Sequence, residues 1–304
     1  MSEGQANQSR IKDYAVSAIS GGISSHISTL VGAPLDRVKL ILQAQKASSQ
    51  IQTPYKGVVN VFTRLPKEQG FFSLWRGNMA TILRFYPVHF LNFTLKDKFK
   101  ALVPKYNPNT DYGKFVASNL FIGGLAGLFT LCVVYPLDLA RTRMALDVGS
   151  TRQFTGLWNC MSTIYKSGGI SSLYYGYTPA ALSILVYRGL YFGLYDSAKQ
   201  IVLKEEKTNF FKLWLVAQAT TLSATVLSYP LDTVRRHLCM QAGSVEAMYT
   251  GTIDCFQKLH ASGGIRAFYG GASIAFLNPF IGAPLLVFYD HFRKSRANSR
   301  KSNE

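Results

Sequence analysis

The chain has 304 residues, 48% of them hydrophobic and only 16% charged, which is too apolar for an ordinary cytosolic protein. A mean hydropathy of +0.08 is also too polar for helices that face lipid on every side, so helices with one lipid face and one watery face are expected. The net charge of +17 comes from connectors and tails (Lys96, Lys98 and Lys100; Lys204 and Lys207; the run 293–301). That distribution suits an anionic membrane surface and, with no basic stripe interleaved with aromatics, excludes a nucleic-acid partner.

Residues 1–11 read as a disordered polar tail. The opening MSEGQANQSRIKDY has no apolar core for a secretory signal and is too weakly basic for a transit peptide, which places targeting information inside the chain. Six long apolar segments follow, near 14–45, 76–101, 114–146, 176–203, 210–242 and 270–294. Each exceeds the roughly 20 residues that cross a bilayer. Backbone groups in hydrocarbon must satisfy one another, so these segments read as helices. Between paired spans lie shorter, half-polar segments of helical period: Tyr55 to Gly70, Phe154 to Gly169 and Tyr249 to Gly264. Each fits an amphipathic helix lying in the membrane interface. The fold class is thus an all-α membrane protein, with six transmembrane helices in three pseudo-threefold repeats, each with a short amphipathic surface helix. The repeats are assigned to 12–103, 104–205 and 206–296, with a polar tail at 297–304.

The repetition carries chemistry. Pro34, Asp36 and Lys39 recur as Pro136, Asp138 and Arg141, and again as Pro230, Asp232 and Arg235, at intervals of 102 and 94 residues. Proline kinks a helix, and three kinks would bring three helix ends toward one axis. Charges inside membrane helices are expensive and are usually paired, so each Asp is expected to meet the base of a neighbouring repeat. A second acid-x-x-base set, Asp97/Lys100, Asp196/Lys199 and Asp290/Arg293, stands at the far ends of the even-numbered spans. Two ionic rings at opposite ends of one bundle read as two gates of an alternating-access device.

Other chemistry is excluded or left without support. There is no phosphate loop, no dinucleotide fingerprint and no zinc-protease motif, so the chain does not read as an enzyme and needs no cofactor. Cys132, Cys160, Cys239 and Cys255 lack disulfide or metal spacing and are expected as buried, reduced thiols, with no metal site.

At this point the sequence resembles the mitochondrial carrier family over residues 12–296, and within it the branch that exchanges ADP for ATP. The likeness is carried by APLDRVKLILQAQ, WRGN at 75–78, LNFTLKDKFK, YPLDLARTR, YRGLYFGLYD and YPLDTVRR. It implies a multi-pass protein of the mitochondrial inner membrane. By resemblance Asp36, Lys39, Asp138, Arg141, Asp232 and Arg235 form a matrix gate braced by Gln43. Asp97, Lys100, Asp196, Lys199, Asp290 and Arg293 form a cytoplasmic gate braced by Tyr195 and Tyr289, with Lys96 where a third tyrosine would stand. Gly57, Gly156, Gly251, Gly176, Gly271 and Trp75-Arg76-Gly77 resemble the family's cardiolipin sites, where helix N-termini offer N–H groups to phosphate.

The departures fall in the cavity. Where that branch has three arginines followed by three methionines, this chain reads Arg235, Arg236, His237, Leu238, Cys239 and Met240. A cavity lysine is replaced by Thr29 and an arginine by Asn278, while Pro279 and Pro284 are added to the last span. Arg84 keeps its place, as do Tyr187 and Ile184 of the adenine wall, whereas Ser183 replaces a glycine. The substrate set is therefore Arg84, Tyr187, Ile184, Ser183, Arg236, Thr29 and Asn278, with Arg188, Arg143, Arg236 and His26 as candidate replacement cations. Two functions follow from this pattern. One is a carrier of adenine nucleotides or of a related, less charged anion. The other is a carrier fold kept as an accessory subunit beside respiratory-complex subunits, its transport weakened or lost.

Overall fold

The computed structural model describes residues 25–48, 50–51, 53–104, 106, 111–148, 152–202, 210–244 and 248–277. Within them, helix α1 covers 25–44 and the last described helix, α9, covers 272–277. Between these run α2 (Val58–Gln69), α3 (Asn78–Leu102), α4 (Tyr112–Ala145), α5 (Leu157–Ser172), α6 (Tyr177–Val202), α7 (Phe210–Gln241) and α8 (Thr252–Gly263). No strand occurs among the described residues. The order is long helix, short helix, long helix in the first two repeats, and the third repeat begins the same way with α7 and α8. Helix α3 packs on α4, α4 on α6 and α7, and α6 on α7.

Helix α4 alone among the described residues is long and apolar enough to be read as a membrane span by hydropathy. The physical reason lies in the polar residues of the others: α3 carries Arg84, α6 carries Arg188, and α7 carries a run of Thr and Ser before Asp232. In α7 the hydroxyls of Thr220, Thr221 and Thr225 bond carbonyls four residues back, which satisfies them within the helix.

The short helices α2, α5 and α8 each begin at a glycine, Gly57, Gly156 and Gly251, with no side-chain cap on its helix. One turn in, Asn60, Asn159 and Asp254 accept from the backbone N–H of Lys56, Thr155 and Thr250, so all three entries are built alike. Their inner faces are Val61 and Leu65, Cys160 and Ile164, and Cys255 and Leu259, all buried. Their outer faces repeat as well: Val59, Trp158 and Ile253 occupy one equivalent position, and each is 75% exposed. Phe71, Ile170 and Ile265 repeat this one position past the helix-ending glycine. Helix α5 departs slightly from the expected end at Gly169, continuing to Ser172 across a break at Gly168 and Gly169.

The turns that enter α3, α6 and α9 are tight. Gly77, Gly176 and Gly271 have φ of 85°, 80° and 71°, the left-handed region that glycine alone visits freely. A Cβ there would lie 3.0 Å from the Arg141 carbonyl, 2.9 Å from that of Arg235 and 2.8 Å from that of Lys39. Each turn therefore seats on the backbone of the next repeat's basic residue. Gly176→Ala and Gly271→Ala are each expected to cost about 2–3 kcal/mol through strain and displacement of that turn. Gly57→Ala, with extended backbone and open space around it, is expected to leave the thermal midpoint near wild type.

Candidate functional site

The three proline-bearing helices come together through their charged residues. Arg141 donates to Asp36 at 2.7 Å, Arg235 to Asp138 at 2.9 Å, and Lys39 lies 3.8 Å from Asp232. Every one of these pairs joins two repeats, and they run in cyclic order. The local alternative within one motif is represented by Arg235 and Asp232, 4.0 Å apart.

More charge gathers here than the motif predicted. Arg84 of α3 donates to the second oxygen of Asp138 at 2.5 Å, so that carboxylate carries two guanidinium groups. Arg236 lies 3.5 Å from Asp232 and donates to Thr142 at 2.7 Å. Gln43 donates to Asp232 at 3.1 Å and to Thr233 at 3.0 Å, tying α1 to α7 beside the Lys39 pair. Among the described residues, three carboxylates thus face five cations: Lys39, Arg84, Arg141, Arg235 and Arg236. Burial differs around the ring: the Asp138 side chain is 3% exposed and that of Asp36 34%.

Beside the ring is a cavity of about 280 Å³, lined by Lys39, Asp232, Ser183, Ile184, Tyr187 and Arg188 among others. A second cavity of about 660 Å³ shares Tyr187 and Arg188 and adds Asn92, Asn119 and Tyr191. Tyr187 and Tyr191 stack with ring centres 6.1 Å apart. Arg188 donates to the Gly123 carbonyl of α4, and a Cβ on Gly127 would press into its guanidinium. Of the four candidate replacement cations, Arg188 and Arg236 therefore stand at the cavity and ring. Arg143 instead donates to the Met240 carbonyl and lines a separate cavity of about 710 Å³ among the C-terminal ends of α1, α4 and α7. His26 bonds the Tyr86 hydroxyl at 2.9 Å.

The hydroxyl of Thr29 turns back to the Ser25 carbonyl at 2.8 Å. Asn278, Tyr289, Asp290 and Arg293 lie outside the described residues, as do the side chains of Asp97, Tyr195, Asp196 and Lys199; Lys100 is exposed. The altered signature after Arg236 has a packing role. His237 is buried between the Tyr249 hydroxyl at 3.1 Å and the Gln43 carbonyl at 3.2 Å, and Met240 packs against Ala44, Ala47 and Leu146. Sequence reasoning missed this ring-wide role of Arg84 and Arg236, because neither belongs to the repeated triplet.

Two side chains expected at lipid sites serve protein partners. The Trp75 indole N–H donates to the Leu30 carbonyl at 2.8 Å. Arg76 binds Asp147 and donates to the Phe154 carbonyl at 2.8 Å, bridging repeats one and two. A pocket of about 480 Å³ beside them also contains Arg152, Phe71 and Phe72. The four cysteines are free, but Cys132 is exposed on α4, which corrects the expectation that all are buried. Burial pushes the Cys160 and Cys255 thiols of the short helices up to about 12, so they stay protonated and inert.

A triple repeat of helix pairs, closed by cross-repeat ion pairs beside a cationic cavity, defines a carrier-type architecture. The family model described as mitochondrial carrier protein matches three times, over residues 12–107, 113–206 and 206–299. An ADP,ATP carrier protein of Parachlorella kessleri is 50% identical, over 91% of this chain and 83% of that protein. ADP/ATP translocase 2 of Bos taurus is 44% identical and ADP/ATP translocase 3 of Homo sapiens 45%, each over 92% of this chain and 97% of that protein. The chain belongs to the mitochondrial carrier family.

Proposed function

We propose that this protein exchanges ADP for ATP across the mitochondrial inner membrane by alternating access. The observation that carries the reading is the cationic surplus at the ring, five cations against three carboxylates, set beside a cavity with Tyr187, Ile184 and Arg188 on its wall. A polyphosphate needs such a surplus, and an aromatic wall suits a purine. The printed names of the relatives point the same way.

In this reading the ring of Asp36, Asp138 and Asp232 is the matrix gate, closed here, with Gln43 as its brace. The cavity opens to the opposite side, where Asp97, Lys100, Asp196, Lys199, Asp290 and Arg293 would close in turn. An entering phosphate chain competes with Asp138 for Arg84, which loosens the doubly held carboxylate and links binding to opening. Arg188 and Arg236 supply the charge that Thr29 and Asn278 do not. The proposed membrane placement has six crossing helices, with Val59, Trp158, Ile253 and their neighbours dipping into lipid. Cardiolipin phosphate would meet the uncapped N-termini at Gly57, Gly156 and Gly251 and the turns at Gly77, Gly176 and Gly271.

The test is uptake of labelled ADP into ATP-loaded, cardiolipin-containing liposomes bearing the purified protein. Uptake that depends on internal ATP is expected. A folded protein with no such exchange, co-purifying with respiratory-complex subunits, would overturn the reading in favour of an accessory role.

A further inference from the structure

A proline inside a helix has no N–H to offer, so the carbonyl four residues earlier loses its donor. For Pro34, Pro136 and Pro230 those carbonyls belong to Leu30, Cys132 and Val226. All three are re-satisfied in one way, by an aromatic side chain from the turn after the short helix of the same repeat. Trp75 Nε1 donates to Leu30 at 2.8 Å, Tyr174 Oη to Cys132 at 3.1 Å, and Tyr269 Oη to Val226 at 3.1 Å. Each donor stands two residues before Gly77, Gly176 or Gly271, the glycines that seat on the carbonyls of Arg141, Arg235 and Lys39. One turn therefore grips the proline of its own repeat and the ring cation of the next.

The grips differ in their second bond. In repeats two and three the tyrosine before the proline returns the bond: Tyr135 Oη donates to the Tyr175 carbonyl and Tyr229 Oη to that of Gly270, both at 2.7 Å. The paired rings also stack, with centres 5.9 Å apart for Tyr135 and Tyr174 and 5.7 Å for Tyr229 and Tyr269. In repeat one that position is Ala33, and the second bond comes instead from buried Arg37, three residues after the proline, which donates to the Ser73 carbonyl of the turn.

We propose that Trp75, Tyr174 and Tyr269 are positioning residues that hold each proline-bearing helix in register with the neighbouring ring cation. This rests on reading the ring as a gate. The test uses the full-length protein in cardiolipin liposomes. Tyr174→Phe and Tyr269→Phe keep the ring and lose the donor; each is expected to lower the maximal exchange rate about 3–10-fold with KM within about twofold. Tyr174→Trp and Tyr269→Trp, which copy repeat one, are expected to restore the rate to within about twofold.

A second measurement needs no transport. Pro136→Ala returns an N–H to the Cys132 carbonyl, so Tyr174→Phe should lower the melting midpoint by about 3–6 °C beside Pro136 and by under about 1 °C beside Ala. Equal drops in both backgrounds would show that the hydroxyl serves another partner and would overturn the proposal. So would a coupled midpoint with an unchanged exchange rate, which leaves a structural bond only. If Tyr174→Phe fails to fold, Pro136→Ala should rescue it, and failure to rescue overturns the proposal as well. A wild-type protein that exchanges nothing removes the gate reading, while the melting cycle still decides what the tyrosine does.

Discussion

Asp138→Asn is expected to be the most damaging single change in the ring. The carboxylate is nearly fully buried and receives both Arg84 and Arg235, so the amide would leave two guanidinium groups facing each other without a counter-charge. Breaking a buried pair from one side costs about 3–5 kcal/mol. The equivalent Asp36→Asn acts on a side chain 34% exposed, where water takes over part of the lost interaction, and about 1 kcal/mol is expected. Thermal melting of the two variants in one detergent checks the ranking. Equal midpoints would mean that the double pairing at Asp138 contributes nothing beyond its neighbours.

Arg84→Ala separates binding from folding. Asp138 keeps Arg235 in that variant, and the Arg84 side chain is 35% exposed, so the midpoint should move far less than in Asp138→Asn. Removing one partner of a buried charge pair with a substrate phosphate costs about 2–5 kcal/mol, which predicts a fall in exchange of at least about thirtyfold. Arg84→Lys keeps the charge but loses the planar fork, and should fall between the two. Uptake unchanged in Arg84→Ala would mean that the substrate lies elsewhere.

The parts legible in the sequence were those that repeat. Pro34, Pro136 and Pro230 with their charges announced three convergent helices, and pairing between repeats followed from the cost of lone charges in a membrane, while the direction of pairing round the ring did not. The segments beginning at Gly57, Gly156 and Gly251 were readable from period and punctuation. Illegible were the roles that depend on a single side chain's direction. Arg84 and Arg236 sit on different helices from Asp138 and Thr142, and nothing in their spacing says that they meet. Arg143 and Arg188 looked alike as spare cations, yet they line different cavities. The signature RRHLCM read as a loss, but His237 answers to Tyr249 and to a carbonyl of the first repeat. The bond from Trp75 to the proline's orphaned carbonyl was illegible too, because that carbonyl, one helix away, leaves no trace in its own segment.

The pairing of the first repeat with the last has a consequence for biogenesis. Lys39 and Gln43 of α1 find Asp232, and the Gln43 carbonyl finds His237, only when α7 is in place. In a chain that ends before residue 232 the first two repeats can join through Asp36 and Arg141, but Lys39 is without its acid. A nascent chain cut before residue 232 thus presents an unmatched cation and an unanswered amide where the finished protein has a closed circuit. Quality control that senses exposed charge in a bilayer would have a marker of incomplete synthesis, and it would vanish when the third repeat arrives.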